Sequence, residues 1–207
     1  MPFDPGVRQY KADEVAGFRK TAEAHGGFSN MASGLPIKIG DTLLGSSEAF
    51  YQAMRFPDAP AAQQAILDEK SPMMAKRTAY RFIDQTRDDW LDVNVAIMRH
   101  ALKLKLCMNR EPVLDLYRAA GDKPIVEISH KDAWWGAKPV ADGMLEGCNV
   151  LGRLLMEQRQ ALEIDPDHCL DGVAPPDIPN YRLLEEEVGF VSAPDDPLAA
   201  YQTAFSL

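Results

Sequence analysis

The chain has 207 residues, 46% hydrophobic and 26% charged, a balance that suits one soluble globular domain with room for a sizeable core. With 22 Lys and Arg against 31 Asp and Glu the net charge is -9, which argues against broad electrostatic adhesion to nucleic acid and is compatible with one local basic groove at most. No apolar run approaches the roughly 18 residues that a membrane span needs, and the opening MPFDPGVRQYKADE lacks the basic and apolar parts of a signal peptide, so a cytoplasmic protein is expected.

Residues 1–24 carry mixed charge and one weak helical pattern (Val15, Phe18, Ala22) and read as an N-terminal appendage. HGGFSNMASGLP is loop, broken by Gly26, Gly27, Gly34 and Pro36; a short extended piece, Ile37 to Ile39, then turns at Gly40 and Asp41 into Thr42 to Leu44. Ser46 or Ser47 is an N-cap for a helix that should run to Phe56 and stop at Pro57. Pro60 and Pro72 occupy first-turn positions of two further helices. The strongest periodicity is in DDWLDVNVAIMRHALKLKL, where Trp90, Val93, Ile97, Met98, Ala101 and Leu104 form one stripe. Another helix is expected from near Glu111 and Pro112 to Gly121, then a short strand in PIVEIS, and a last helix in NVLGRLLMEQRQAL. Beyond residue 163 the chain turns Pro- and Asp-rich and reads as a tail, 164–207, following a central domain at 25–163. The predicted fold is mainly α with a minor short β element.

Cys107, Cys148 and Cys169 are odd in number and lack metal-ligand spacing, so free thiols are expected. His25, His100, His130 and His168 have no metal spacing either, and neither a metal nor another cofactor is expected. Lys103, Lys105, Arg110 and Arg118 are candidates for the local basic groove, though a solvated helix face is the better reading of them.

Chemistry is concentrated in a few places. On a helix Glu48, Tyr51, Gln52 and Arg55 share one face, so a carboxylate, a phenol, an amide and a guanidinium converge on a pocket or form an exposed surface. KDAWWG sets Asp132 before Trp134, Trp135 and Gly136, either as a ligand-facing loop or as a capped turn with two core anchors. In GCNVLG, Asn149 is a binding amide or an N-cap, and Gly152 costs its helix about 1 kcal/mol unless something packs closely against it. Paired carboxylates beside aromatics suit cleavage of a glycosidic bond, one group trading a proton with the leaving group while the other stabilises the cationic sugar carbon or activates water.

The ordered set FSNM (28–31), PIK (36–38), SSEAFYQAMRF, KSPMMAK, RDDW, IMRHALKLKL, GDKPIVEISHKDAWWG and GCNVLGRLLMEQR resembles the successive motifs of the NADAR, or YbiA-like, family over residues 26–162. The resemblance implies a compact helical domain that hydrolyses N-glycosidic bonds without metal. It implies one of two activities: removal of ribose phosphate from early riboflavin-pathway intermediates, or removal of ADP-ribose from guanine bases modified by DarT-type toxins. On the same basis the catalytic glutamate falls on Glu48 and the loop aspartate on Asp132, while Asn30, Gln52, Arg55, Trp90, Trp135, Gly136, Asn149 and Gly152 fall on pocket or framework positions.

This chain has Ala49, Arg55 and Cys148 where the riboflavin-type members carry His, Lys and Lys, and EAFYQAMRFP with WWGAKP resembles the branch that reverses guanine ADP-ribosylation. The expected substrate is therefore ADP-ribosylated single-stranded nucleic acid or ADP-ribose itself, with a DarT-type toxin as a partner in the cell and no membrane. Glu48 is expected to act as base or cation stabiliser, Asp132 to hold ribose hydroxyls or exchange a proton, and Lys38 to attack a ring-opened imine. The alternatives are the riboflavin-type activity and a non-catalytic module that binds ADP-ribose or NAD.

Overall fold

The structure, a computed structural model, describes residues 6–194; the first five residues of the expected appendage and residues 195–207 of the expected tail lie outside the described residues. In chain order the elements begin with β1 (Arg8–Lys11), β2 (Ala16–Phe18), β3 (Ile37–Ile39), β4 (Thr42–Leu44) and α1 (Ser47–Ala53). Next come α2 (Pro60–Leu67), α3 (Pro72–Arg81), α4 (Trp90–Met108), α5 (Arg110–Ala120) and β5 (Ile125–Glu127). The chain continues through β6 (Lys138–Pro139), β7 (Met144–Gly147), α6 (Val150–Ile164), β8 (Gly172–Val173), β9 (Arg182–Leu183), β10 (Glu186–Glu187) and β11 (Val191–Ser192). It folds as two units, one made of residues up to Ser29 with Pro112–His168, the other of Asn30–Glu111 with residues from Cys169 onward.

In the first unit β1 pairs antiparallel with β7, which pairs in turn with β6, while β2 runs parallel to β5. Val15, Val126, Ala137 and Leu145 form a small apolar core with Tyr10 and Ile128 against it. α6 packs on β5. Gly152 permits that packing, since a Cβ there would sit 2.2 Å from the Ile125 carbonyl oxygen. A Phe18–Phe28–Tyr117 ring row completes the packing, with centroids 6.3 and 5.1 Å apart.

In the second unit every residue of α1 is buried, because α2, α3 and α4 all pack on it. A helix covered all round needs no polar stripe, so the polar residues it carries are enclosed with the rest. The β3–β4 hairpin precedes it, with β8–β11 and β9–β10 as two further antiparallel pairs. Tyr181 reaches His100 on α4 at 2.6 Å. Gln63, fully buried, donates to the carbonyls of Ala53 and Arg182 at 3.1 and 2.9 Å and accepts from the Leu184 amide at 2.6 Å.

The prediction of a mainly α fold is overturned. Among the described residues eleven strands accompany six helices, and the architecture is mixed α/β in several small sheets. The hairpin at Ile37–Leu44 and the strand in PIVEIS are where the sequence placed them; the other strands, two to four residues long, are too short for alternation to register. The weak helical pattern over Val15, Phe18 and Ala22 is likewise corrected: Ala16–Phe18 is a strand, with Ala16 and Phe18 buried on one face and Ala16 accepted beside Ile125 in register. Helix starts were more legible. Ser46 caps α1 through its Oγ, which accepts from the Ala49 amide at 3.2 Å, and Pro60 and Pro72 open α2 and α3.

Candidate active site

Glu48 is the chemical centre of the second unit. It lies in the first turn of α1 and is 1% exposed. Its backbone amide donates to the Asn30 carbonyl at 3.0 Å, and the Ser47 hydroxyl donates to the same oxygen at 3.2 Å, which fixes Asn30 against the helix. The Asn30 side-chain amide donates to Glu48 Oε2, and Gln52 Nε2 donates to Oε1 at 2.9 Å. The expected face of Glu48, Tyr51 and Gln52 is therefore an enclosed cluster rather than an exposed helix surface.

Cations stand behind these amides. Arg55 Nη1 donates to Gln52 Oε1 at 3.5 Å, and its guanidinium lies over the Trp90 ring at 4.9 Å and the Tyr80 ring at 5.7 Å. Trp90 also meets Tyr51, centroid to centroid, at 5.0 Å. Lys76 of α3 places Nζ 3.9 Å from Glu48 Oε1 with its side chain 45% exposed, so it links the buried carboxylate to solvent. Burial drives the Glu48 carboxyl above its ordinary pKa, against the pull of Lys76, Gln52, Arg55 and Asn30, all of which favour the ionised form. A carboxyl whose proton affinity is raised in this way suits proton exchange with water or a leaving group.

Lys76 and Tyr80 were missed by sequence reasoning. KSPMMAK was noted as a motif, but nothing in its spacing says that α3 lies on α1. Lys38, expected as a nucleophile, is exposed on β3 and lines a cavity of about 1050 Å³ with Thr42, Met108, Glu186, Glu187 and Phe190; Glu48, Asn30 and Gln52 are not in that lining. Lys105, expected in a surface patch, is 3% exposed, and burial holds its ammonium down to about 7.

The WWG loop belongs to the first unit and is built by Asp132. Its Oδ1 accepts from the amides of Trp134 and Trp135 at 2.8 and 2.9 Å, and its own amide donates to Ser129 Oγ at 3.0 Å. Asp132 is exposed, Trp134 is 41% exposed and Trp135 is half-buried, so neither indole is a core anchor. The loop's carbonyls meet the start of α6: Ala133, Gly136, Trp134 and Trp135 accept from the amides of Cys148, Asn149, Val150 and Leu151 at 2.7 to 3.0 Å. Gly136 has no room for a side chain, since a Cβ would lie 2.5 Å from the Glu127 carbonyl oxygen.

Asn149, fully buried and left-handed at φ 49°, does not cap α6 with its side chain. Its Oδ1 accepts from the Glu127 amide at 3.1 Å, and Nδ2 donates to the Ile125 carbonyl at 2.9 Å and to the Tyr10 hydroxyl at 3.3 Å, tying the loop to β5. Its amide is engaged with the framework on both sides.

Comparison with known proteins agrees with the motifs. A model of the NADAR domain matches residues 17–163. The chain is 33% identical to N-glycosidase YbiA of Escherichia coli (strain K12) over 159 residues, covering 77% of this chain and 95% of that protein. It is 34% identical to a riboflavin biosynthesis protein of Vibrio vulnificus (strain YJ016) over 157 residues, spanning 41% of that longer protein. The NMR structure of E. coli YbiA superposes with a TM-score of 0.63 at 33% identity, covering 74% of this chain and 88% of that one. Motifs, domain match, relatives and fold converge, and the chain belongs to the NADAR family.

Proposed function

We propose that this chain is an N-glycosidase that removes ADP-ribose from ADP-ribosylated guanine, acting opposite a DarT-type toxin. The N-glycosidase name of relatives aligned over nearly their whole length supports the reaction class. Arg55 carries the choice of substrate. Its planar fork of donors is half-buried beside Gln52, one hydrogen bond from Glu48, with Trp90 and Tyr80 on its faces. A guanidinium so placed matches the adjacent oxygens of a pyrophosphate better than a lysine's single point charge would.

The bond from the sugar C1′ to the exocyclic guanine nitrogen breaks with its electron pair going to the base, leaving an oxocarbenium ion. Ionised Glu48 stabilises that cation and takes a proton from the attacking water; the guanine nitrogen regains a proton, and free ADP-ribose forms. Asp132 keeps Oδ1 in its own turn, where it accepts from the Trp134 and Trp135 amides. Lys38 has no part in this reading, because Lys76 is the lysine beside Glu48.

The second reading, clearance of ribosylamine phosphates, is favoured by the relatives named as riboflavin biosynthesis proteins in Vibrio vulnificus and Zea mays. Incubating the purified protein with an ADP-ribosylated guanine oligonucleotide, and separately with the ribosylamine phosphate, separates the two. Release of ADP-ribose by wild type and not by Glu48→Gln is the expected result. Cleavage of the small phosphate alone would transfer the protein to the second reading, and binding without cleavage of either would make it a non-catalytic module.

A further inference from the structure

α3 presents an outer face that meets the Glu48 cluster only through Lys76 and Tyr80. From Lys70 to Ile83 the chain holds four cations, Lys70, Lys76, Arg77 and Arg81, and no Asp or Glu, in a protein of net charge -9. The same stretch exposes Met73 at 57% and Tyr80 at 56%, large apolar groups that a packed core would normally cover. Helical spacing puts Met73, Arg77, Tyr80 and Arg81 on one side, alternating apolar surface with guanidinium. None of Lys70, Arg77 and Arg81 is in an ion pair among the described residues.

Cations beside an exposed ring and apolar surface are what a single nucleic-acid strand requires: phosphates pair with the cations and a base stacks on the Tyr80 ring, with little demand on sequence. The face leads to the site through its own residues, since Lys76 on the same helix reaches Glu48 at 3.9 Å and the Tyr80 ring lies 5.7 Å from the Arg55 guanidinium carbon. The cations expected from sequence to line a groove fit less well: Lys105 is buried and Arg118 is paired with Asp115 at 2.6 Å.

We propose that the α3 face bearing Met73, Arg77, Tyr80 and Arg81, with Lys70 just ahead of the helix, is the track on which a single-stranded nucleic acid lies while its modified guanine is presented to Glu48. This rests on the ADP-ribosyl-guanine reading for the identity of the substrate, but the track has its own signature. Each cation lost from a strand contact removes about 0.7 from the slope of log affinity against log salt.

The test is fluorescence anisotropy of the full protein with an unmodified, labelled single-stranded 12-mer over a salt series, for wild type, Arg77→Gln/Arg81→Gln and Tyr80→Ala. All three substituted positions are exposed, and an unchanged melting temperature checks the fold. The double variant is expected to flatten the slope by about 1.4, and Tyr80→Ala to weaken binding roughly tenfold at constant slope, the loss of one stacked base. Wild-type affinity too weak to measure at low salt, slopes unchanged in the double variant, or equal loss of binding to anionic phosphatidylserine vesicles would each overturn the proposal. Release of ADP-ribose from a modified 12-mer is measured in parallel. Binding that depends on α3 without release sinks the enzymatic reading and keeps the track, whereas release with α3-independent binding sinks the track alone.

Discussion

The two carboxylates that stand out in the sequence occupy opposite kinds of surroundings. Glu48 is enclosed, fed by two side-chain amides and flanked by Lys76 and Arg55. Asp132 stands in water and uses one oxygen to hold two backbone amides. The same contrast extends to their units: the one around Glu48 also buries ionisable His100 and Lys105, whereas the buried polar keystone of the other is a neutral amide, Asn149. Chemical type alone therefore says little about role. Burial raises one carboxyl above its ordinary pKa and encloses it among donors, while the other, in water, holds a turn together.

The largest test of that contrast is Glu48→Gln, expected to lower turnover about 100- to 10,000-fold, the usual range for a lost general base, in a steady-state assay of base release. Next comes pH-dependent stability. Burial, with a smaller push from Lys103, holds His100 down to about 4. A histidine depressed from 6.5 gives stability that is complete above 6.5 and is lost as the pH falls from there towards 4, because the unfolded chain binds the proton first. Thermal melts across that window should lose about 3 kcal/mol, and His100→Gln should remove most of the slope.

In the other unit Gly152→Ala drives a methyl into the Ile125 carbonyl and the Asn149 amide, and chemical denaturation should show a loss of about 1–3 kcal/mol. Asp132→Ala should cost about 1 kcal/mol, as loss of a comparable helix cap does. Asp132→Asn, which keeps the accepting oxygen, should melt like wild type, and its turnover reports whether the second oxygen takes part. The smallest effect is expected from Lys76→Met: a half-exposed pair is worth at most about fivefold in rate. Its signature is the acid limb of the pH–rate profile moving to higher pH, since a cation that favours ionised Glu48 is gone.

What could be read from the sequence was whatever local rules govern. The α4 stripe, the Ile37–Leu44 hairpin around Gly40 at φ 55°, and the helix expected from near Glu111 and Pro112 and closed by Gly121, again at φ 55°, each announce themselves within a few residues. Of the strands whose partners lie far along the chain only β5 showed, in PIVEIS; β1, β2 and β7 did not, because pairing over more than a hundred residues leaves no periodic mark in segments this short. The same limit hid Lys76, whose importance depends on which helix packs beside α1. Glu48 with Gln52 was legible as a face, but its enclosure was not, since that depends on the helices that pack on α1.

The Gln63 amide gives the C-terminal segment a meaning that homology alone would not. The family match ends at residue 163, yet one buried side chain grips the backbone at Arg182 and Leu184 as firmly as it grips Ala53, and Tyr181 closes over His100. Ancestry and folding thus set different borders. A segment lying past the family match acts as a splint for the helix that carries Glu48, and removing it would strip Gln63 of two of its three partners.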